Sequence, residues 1–274
     1  MGEEPVLGVT KVVNALFGKL ALALLTLLHI KPDSTEYPIT NSTSMELPVV
    51  LLAVLFFLWL KPRIRADRPG ATQQAMEFVI TNPMGIGVKD LVDDIVGHGA
   101  ERHIPVVATI GIFILFSNMI SLIPGFASPT ASITVTLGCA TIVFLYYNAI
   151  GIGKHGGLHY AKTLLGPMPK LFPINFIMLI VETVSHFARV LSLSVRLWAN
   201  MMVSELLYVS FLALSLSVFV FVSEKNVVGY VTGVVPVAIP LILALLHVFV
   251  AFLQAFIFSI LAIVYLGLAS AEEH

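Results

Sequence analysis

Arg196 lies deep inside a long apolar helical stretch, too far from either end for its guanidinium group to reach water. An arginine side chain keeps its proton in a protein, so this charge cannot be removed by neutralisation. Ionisable side chains at membrane depth are rare, and they usually serve an ion pathway or pair with another charge. The position of Arg196 therefore predicts a role in ion movement.

A polar stripe runs along the helix that carries Arg196. Steps of seven and four residues place four side chains on one helix face, namely Glu182, Arg189, Arg196 and Asn200. His186 and Ser192 lie beside this stripe. Relative to Arg196, Glu205 lies nearly half a turn away in azimuth and about 13 Å further along the helix axis. The stripe predicts a polar path along one face of an otherwise apolar helix.

A second helical arm returns after a turn and adds more polar side chains. His247 and Gln254 share a face because seven residues separate them, and Tyr265 lies further along the arm. With the turn centred between residues 224 and 225, Arg196 and Gln254 lie about 28 and about 30 residues from it. The same count gives about 20 residues for Glu205 and about 22 for His247. We therefore expect two layers, one pairing Arg196 with Gln254 and one pairing Glu205 with His247.

The two layers predict different chemistry. A proton can move between His247 and Glu205 because the pKa values of imidazole and carboxyl groups can be brought into the working range. A proton cannot rest on Arg196, which we expect to be a barrier to protons and an electrostatic partner for a carboxylate. Two alternatives stay open. The serine and amide side chains could serve hydrogen bonding between helices, and Glu182 with Arg189 could be a paired interface couple.

The composition identifies a membrane protein with several spans. Of 274 residues, 58% are hydrophobic and 11% are charged, and the mean hydropathy is +0.96. Several uncharged runs exceed the length of about 18 residues that signals a span. A formal net charge of -1 offers no basic face for a phosphate backbone, so nucleic acid is not an expected partner. No nucleotide site, metal site or other cofactor is expected.

We expect an all-α membrane protein with five spanning helices and one surface helix. The spans are predicted at about 46–61, 104–124, 131–153, 172–222 and 227–270. Residues 1–45 are expected to form an extracytoplasmic segment, interfacial over 12–30, and residues 46–274 a single membrane domain. Apolar and charged positions at helical spacing predict an amphipathic surface helix over about 71–101.

The last two predicted spans are too long for an ordinary crossing. A helix of about fifty residues measures about 75 Å, against a hydrocarbon core of about 30 Å. We therefore expect a strongly tilted antiparallel hairpin that leans on something outside this chain. Two glycines and two prolines are expected to break the second arm near its start: Gly229, Gly233, Pro236 and Pro240.

The distribution of positive charge predicts the orientation. Four cations follow the first predicted span: Lys61, Arg63, Arg65 and Arg68. The loop over 154–170 is also rich in lysine and histidine. Basic loops stay on the cytoplasmic side of a membrane, so both segments are placed there. We expect the N-terminus outside and the C-terminus in the cytoplasm.

The residues around Arg196 resemble the motif of the F-type ATP synthase a subunit, in its bacterial form. The matching side chains on the two arms are Ser192, Arg196, Asn200, Glu205, His247, Gln254 and Tyr265. The resemblance extends back to about residue 46. Ser121 and Ser132 stand where this family often carries an acid, and Arg189 stands where a lysine is common.

The resemblance implies a stator that carries protons past a rotating ring of c subunits through two offset half-channels. Arg196 would face the ring carboxylate. The implied outer half-channel contains Glu205, His247, Asn200 and Gln254. The implied inner half-channel contains Glu182, Ser192 and Tyr265.

The implied setting is the bacterial inner membrane. The partners would be the c ring, b-type peripheral stalk subunits, the rest of the F1F0 ATP synthase and the lipid bilayer. A subunit of this kind is not a catalyst alone. The alternative is a free-standing ion channel or a secondary transporter, although the chain has no internal repeat of the kind such folds often show. A purely structural anchor would not need Arg196.

Overall fold

The computed structural model describes residues 8–27, 36–64, 70–71, 73–74, 77, 88–96, 100–123, 126–156, 174–222 and 227–270. Within these residues the chain is α-helical, with short 3-10 turns and no strand. We number the longer helices α1 Gly8–Leu27, α2 Asn41–Leu60, α3 Val88–Val96, α4 Ile104–Met119, α5 Ile133–His155, α6 Ile174–Val222 and α7 Val227–Ser270. Six helical segments of this described part are long and apolar enough to cross a membrane. The prediction of an all-α membrane protein is confirmed.

The candidate spans outnumber the expected five by one, because α1 is among them. Its region was expected to be interfacial on account of Lys11 and Lys19. The helix is 20 residues long, which corresponds to about 30 Å, and two charges do not offset the apolarity of the remaining residues. By length and composition α1 is therefore a candidate span, and its interfacial position stays a prediction.

Buried polar groups join α1 to the chain that leads into α2. Thr10 Oγ1 donates to Asn41 Oδ1 at 2.8 Å and lies 2.6 Å from Ser44 Oγ. The side-chain amide of Asn14 exchanges two hydrogen bonds with the backbone of Ile39, at 2.9 and 3.0 Å. These bonds satisfy polar groups that would be costly to bury alone. They fix the segment before α2 against α1.

The predicted surface helix is described in two parts. Residues 71, 73, 74 and 77 are helical, α3 covers Val88–Val96, and 78–87 lie outside the described residues. The apolar side of α3 buries Val92 against Val107 and Ile263, while Asp93 and Asp94 are exposed. This is the amphipathic pattern that the sequence predicted for the region. A 3-10 turn, Ala100–His103, leads from this region into α4.

The long hairpin arms are α6, with 49 residues, and α7, with 44. The predicted break in the second arm is wrong, because α7 is helical throughout, across Pro236 and Pro240. A proline removes one helical hydrogen bond, but apolar membrane helices tolerate the loss when local adjustments satisfy the freed carbonyl group. The turn residues 223–226, on which the register count was centred, lie outside the described residues.

The chain forms two compact units. Unit 1 comprises Met1–Leu55, Phe113–Val135 and Trp198–Gln254. Unit 2 comprises Phe56–Ile112, Thr136–Leu197 and Ala255–His274. Asn200, Glu205, His247 and Gln254 belong to unit 1. Glu182, Ser192, Arg196 and Tyr265 belong to unit 2.

Candidate functional site

The imidazole of His247 lies at the centre of a polar cluster in unit 1. The residue is 1% exposed. Its Nδ1 atom lies 2.7 Å from Ser204 Oγ, and its Nε2 atom lies 3.0 Å from the carbonyl oxygen of Asn118 and 3.1 Å from Ser121 Oγ. A carbonyl oxygen only accepts, so Nε2 carries a hydrogen and donates it. In the neutral ring Nδ1 then accepts from the Ser204 hydroxyl group, which defines one tautomer.

A second set of buried polar groups adjoins the backbone partner of His247. The Ser128 hydroxyl group donates to the carbonyl oxygen of Ser117 at 2.8 Å and lies 2.7 Å from Thr130 Oγ1, which donates to Asn118 Oδ1. Within the described residues, Ser117 Oγ and Asn118 Nδ2 are buried with no hydrogen-bond partner. Buried polar atoms of this kind are the usual sites of ordered water. These two atoms belong to Asn118, whose carbonyl oxygen contacts His247, and to the residue before it.

Glu205 directly follows Ser204 on α6, so its backbone lies within about 1.5 Å of the axial level of the His247 contact. The residue is half-buried, and its Oε2 atom is fully buried. The predicted direct pairing of Glu205 with His247 stays a prediction. The partners that the structure gives the imidazole are Ser204, Ser121 and Asn118.

Gln254 and His247 are both buried, at 3% and 1% exposure, as their seven-residue spacing on one face of α7 predicts. Asn200, which belongs to the same unit, is exposed. The level of Arg196 relative to Gln254 stays a prediction from the residue count.

A second titratable cluster lies in unit 2. Glu182 Oε1 lies 3.4 Å from His186 Nε2 and 3.6 Å from a guanidinium nitrogen of Arg189. The other ring nitrogen of His186, Nδ1, lies 3.1 Å from the hydroxyl group of Tyr147. The guanidinium carbon of Arg189 lies 5.7 Å from the ring centre of Tyr265. The cluster thus joins the predicted residues Glu182 and Tyr265 through Arg189.

Arg196 lies on an outward face of α6. Leu193 and Leu197 are buried, at 3% and 1% exposure, whereas Ser192 and Arg196 are exposed. Ser194 is also buried, and its hydroxyl group lies 3.1 Å from Thr136 Oγ1 of α5. One side of α6 therefore packs in unit 2, and the side that carries Arg196 does not.

The rest of the chain covers little of α6. In an 18-residue apolar stretch within Ile177–Leu216 only 6% of the residues are buried, against 28% within Ala238–Ala269. The exposed face of α6 therefore combines apolar side chains with polar ones, among them Ser192, Arg196 and Asn200.

Sequence reasoning missed three members of these clusters. Ser204, Asn118 and Tyr147 each contact a histidine that lies 39 to 129 positions away in the chain. A signal existed for two of them. Asn118 interrupts an apolar helix near its end, and Tyr147 follows another tyrosine late in α5.

The chain is similar to a family of known proteins over most of its length. The family model described as ATP synthase A chain matches residues 43–267. The ATP synthase subunit a of Koribacter versatilis is 35% identical over 92% of this chain and 91% of the relative. That of Solibacter usitatus is 38% identical over 92% and 95%, and that of Geobacter sulfurreducens is 37% identical over 82% and 86%.

Proposed function

Because the chain belongs to the ATP synthase A chain family, we propose that it is the proton-translocating stator subunit of a rotary F-type ATP synthase. In this function protons reach and leave a carboxylate on a neighbouring ring through two offset half-channels. Arg196 separates them. The chain has the composition of a multi-pass membrane protein, with six candidate spans in its described part.

The single observation that carries the proposal is the position of Arg196. The residue is exposed on α6, whose apolar length is mostly uncovered by the chain itself. A permanent cation on such a face can attract an anionic group of a neighbouring subunit. We take that group to be a carboxylate on a ring of c subunits. Arg196 would release each ring carboxylate to the next half-channel and would block direct passage of protons, since it cannot be deprotonated.

The outer half-channel is proposed to run through unit 1. Its residues are Asn200, Glu205, His247 and Gln254. The support comes from His247, a titratable side chain that is 1% exposed and surrounded by neutral hydrogen-bonding groups. Buried titratable groups with hydrogen-bonding neighbours are the usual elements of a proton relay in a membrane.

The inner half-channel is proposed to run through unit 2, past Glu182, Ser192 and Tyr265. The support comes from the exposure of the Glu182 side chain, which is 38%, and from its ion pair with Arg189. In the proposed orientation this end of the subunit faces the cytoplasm, where the carboxylate would exchange protons with water.

The proposed setting is a bacterial inner membrane, with the N-terminus outside and the C-terminus in the cytoplasm. The cations at Lys61 and Arg63 support this orientation. The proposed partners are the c ring, b-type stalk subunits and the rest of the F1F0 complex. Alone the chain would catalyse no reaction, and its contribution to ATP synthesis is the coupling of proton movement to rotation.

The test is the Arg196→Ala variant in inverted membrane vesicles. We expect loss of ATP-driven acidification while the soluble head continues to hydrolyse ATP. Normal acidification by this variant would remove the central claim. The alternative, a free-standing channel, is separated by reconstituting the chain alone in liposomes. Proton conduction without any ring protein would favour the channel.

A further inference from the structure

His186 of α6 lies between a phenol and a carboxylate. Its Nδ1 atom lies 3.1 Å from the hydroxyl oxygen of Tyr147, and its Nε2 atom lies 3.4 Å from Glu182 Oε1. Each ring nitrogen thus faces a group that can give or take a proton. We propose that His186 is the relay residue of the inner half-channel and passes protons between Tyr147 and Glu182. This inference rests on the proposed function, because a relay requires a proton pathway.

Exposure increases along the three side chains in the order that a path to water requires. Tyr147 is 2% exposed, the side chain of His186 is 15% exposed and that of Glu182 is 38% exposed. The imidazole therefore lies between a buried hydroxyl group and a partly exposed carboxylate, which faces water in the proposed inner half-channel. Without His186 the step from Tyr147 to Glu182 would have to cross the space that the ring now fills.

The neighbours of His186 give this step a defined electrostatic setting. On α6 they are Glu182 and Arg189, which form an ion pair at 3.6 Å. On α5 they are Tyr147 and the ring of Phe144, whose centre lies 6.4 Å from the imidazole. Tyr265 of α7 stacks obliquely on Tyr147 at 5.9 Å. While His186 is neutral, the opposite charges of Arg189 and Glu182 cancel. A proton that moves through the relay therefore adds one net positive charge to this group of side chains.

The transfer is balanced at each atom. Neutral His186 with its hydrogen on Nε2 accepts from Tyr147 at Nδ1, and its Nε2 atom lies 3.4 Å from Glu182 Oε1, slightly beyond the usual hydrogen-bond distance. When a proton reaches the Tyr147 oxygen, the hydroxyl hydrogen passes to Nδ1 and the ring becomes an imidazolium. The imidazolium gives its Nε2 hydrogen to the Glu182 carboxylate, which later releases it to water. Rotation of the neutral ring then directs its N–H group at Glu182 and its unprotonated nitrogen at Tyr147, so the relay can accept the next proton.

The test compares His186→Gln with the wild type in inverted vesicles that contain the whole complex. Glutamine can still accept from Tyr147 and donate to Glu182, but its amide cannot carry an extra proton. We expect ATP-driven proton flux to fall by about tenfold or more, since positioned acid–base groups contribute about 10²- to 10⁴-fold. The dependence of flux on medium pH between about 5 and 8 should also become weaker, because the contribution of the His186 imidazole is lost. Adding imidazole to a His186→Ala variant should restore part of the flux.

A second histidine–tyrosine pair supplies the matched control. His103 Nδ1 lies 2.9 Å from the hydroxyl oxygen of Tyr146, and neither residue belongs to the proposed path. The His103→Gln variant should keep both flux and pH profile. If His186→Gln does not assemble, Tyr147→Phe removes only the hydroxyl group that faces Nδ1, and the same loss of flux is expected.

The outcomes separate this inference from the proposed function. Wild-type flux and an unchanged pH profile in both His186→Gln and Tyr147→Phe would overturn the relay. If Arg196→Ala in the same vesicles still abolishes acidification, the stator function survives and only the relay fails. If Arg196→Ala pumps normally, the stator function itself fails.

Discussion

Ser204 Oγ and His247 Nδ1 lie 2.7 Å apart, so a hydroxyl group on α6 fixes one nitrogen of a buried imidazole on α7. The carbonyl oxygen of Asn118 holds the other nitrogen at 3.0 Å. Because both partners are neutral, the ring is held in one tautomer without a fixed ion pair. A proton that arrives at His247 meets hydrogen-bonding groups on both sides.

Ser204→Ala should lower proton flux by about two- to tenfold, since one hydrogen bond contributes about 0.5 to 1.5 kcal/mol. The cause is the loss of the donor to Nδ1 of His247. Ser204→Thr keeps the hydroxyl group and should behave like the wild type. Ser215→Ala is the control, because the Ser215 hydroxyl group donates to Phe211 of its own helix. Equal fluxes for Ser204→Ala and Ser215→Ala would contradict this role.

Glu205→Ala and His247→Ala should be non-additive in proton flux. Both side chains lie at one level of the hairpin, and groups that share a proton act as a unit. The measurement compares each single variant with the double variant in inverted vesicles. If the fold losses of flux in the two single variants multiply in the double variant, the two residues act in separate steps.

Gly267→Ala should destabilise the protein by about 1 to 3 kcal/mol, the usual cost of overpacking. A Cβ atom at this glycine would lie 2.8 Å from the backbone oxygen of Ile95 and 2.6 Å from its Cγ2 atom. A backbone atom cannot move aside as a flexible side chain can. Thermal unfolding of the purified complex gives the readout. Gly138→Ala is the control, since nothing lies within 4 Å of the added atom. Equal unfolding temperatures of the two variants would contradict the close contact between Gly267 and Ile95.

Cysteines at positions 136 and 194 should form a disulfide on mild oxidation. The hydroxyl oxygens of Thr136 and Ser194 lie 3.1 Å apart, and thiol sulfurs at the same positions would come within bonding range after a small adjustment. The background is Cys139→Ser, which removes the native buried thiol. Pairing position 136 with a cysteine at the exposed Ser192 should give no crosslink. A crosslink from position 136 to position 192 but not to position 194 would mean that a different face of α6 packs against α5.

The sequence predicted five of the six candidate spans of the described part and the shared burial of His247 and Gln254. Long apolar runs have few ways to satisfy their backbone in a membrane, and spacing along one helix gives the azimuth of each side chain. The contacts between helices did not follow from the sequence. Asn118 and His247 are 129 positions apart, so their meeting depends on how helices pack. The continuity of α7 through Pro236 also depends on membrane surroundings rather than on local propensity.

The exposed face of α6 has a consequence for the turnover of the protein in the cell. Without the proposed c ring, lipid would have to cover a face of α6 that includes the exposed side chains of Ser192, Arg196 and Asn200. Under the proposed function, the cellular lifetime of this chain should therefore follow the supply of ring subunits, and the surplus should be degraded.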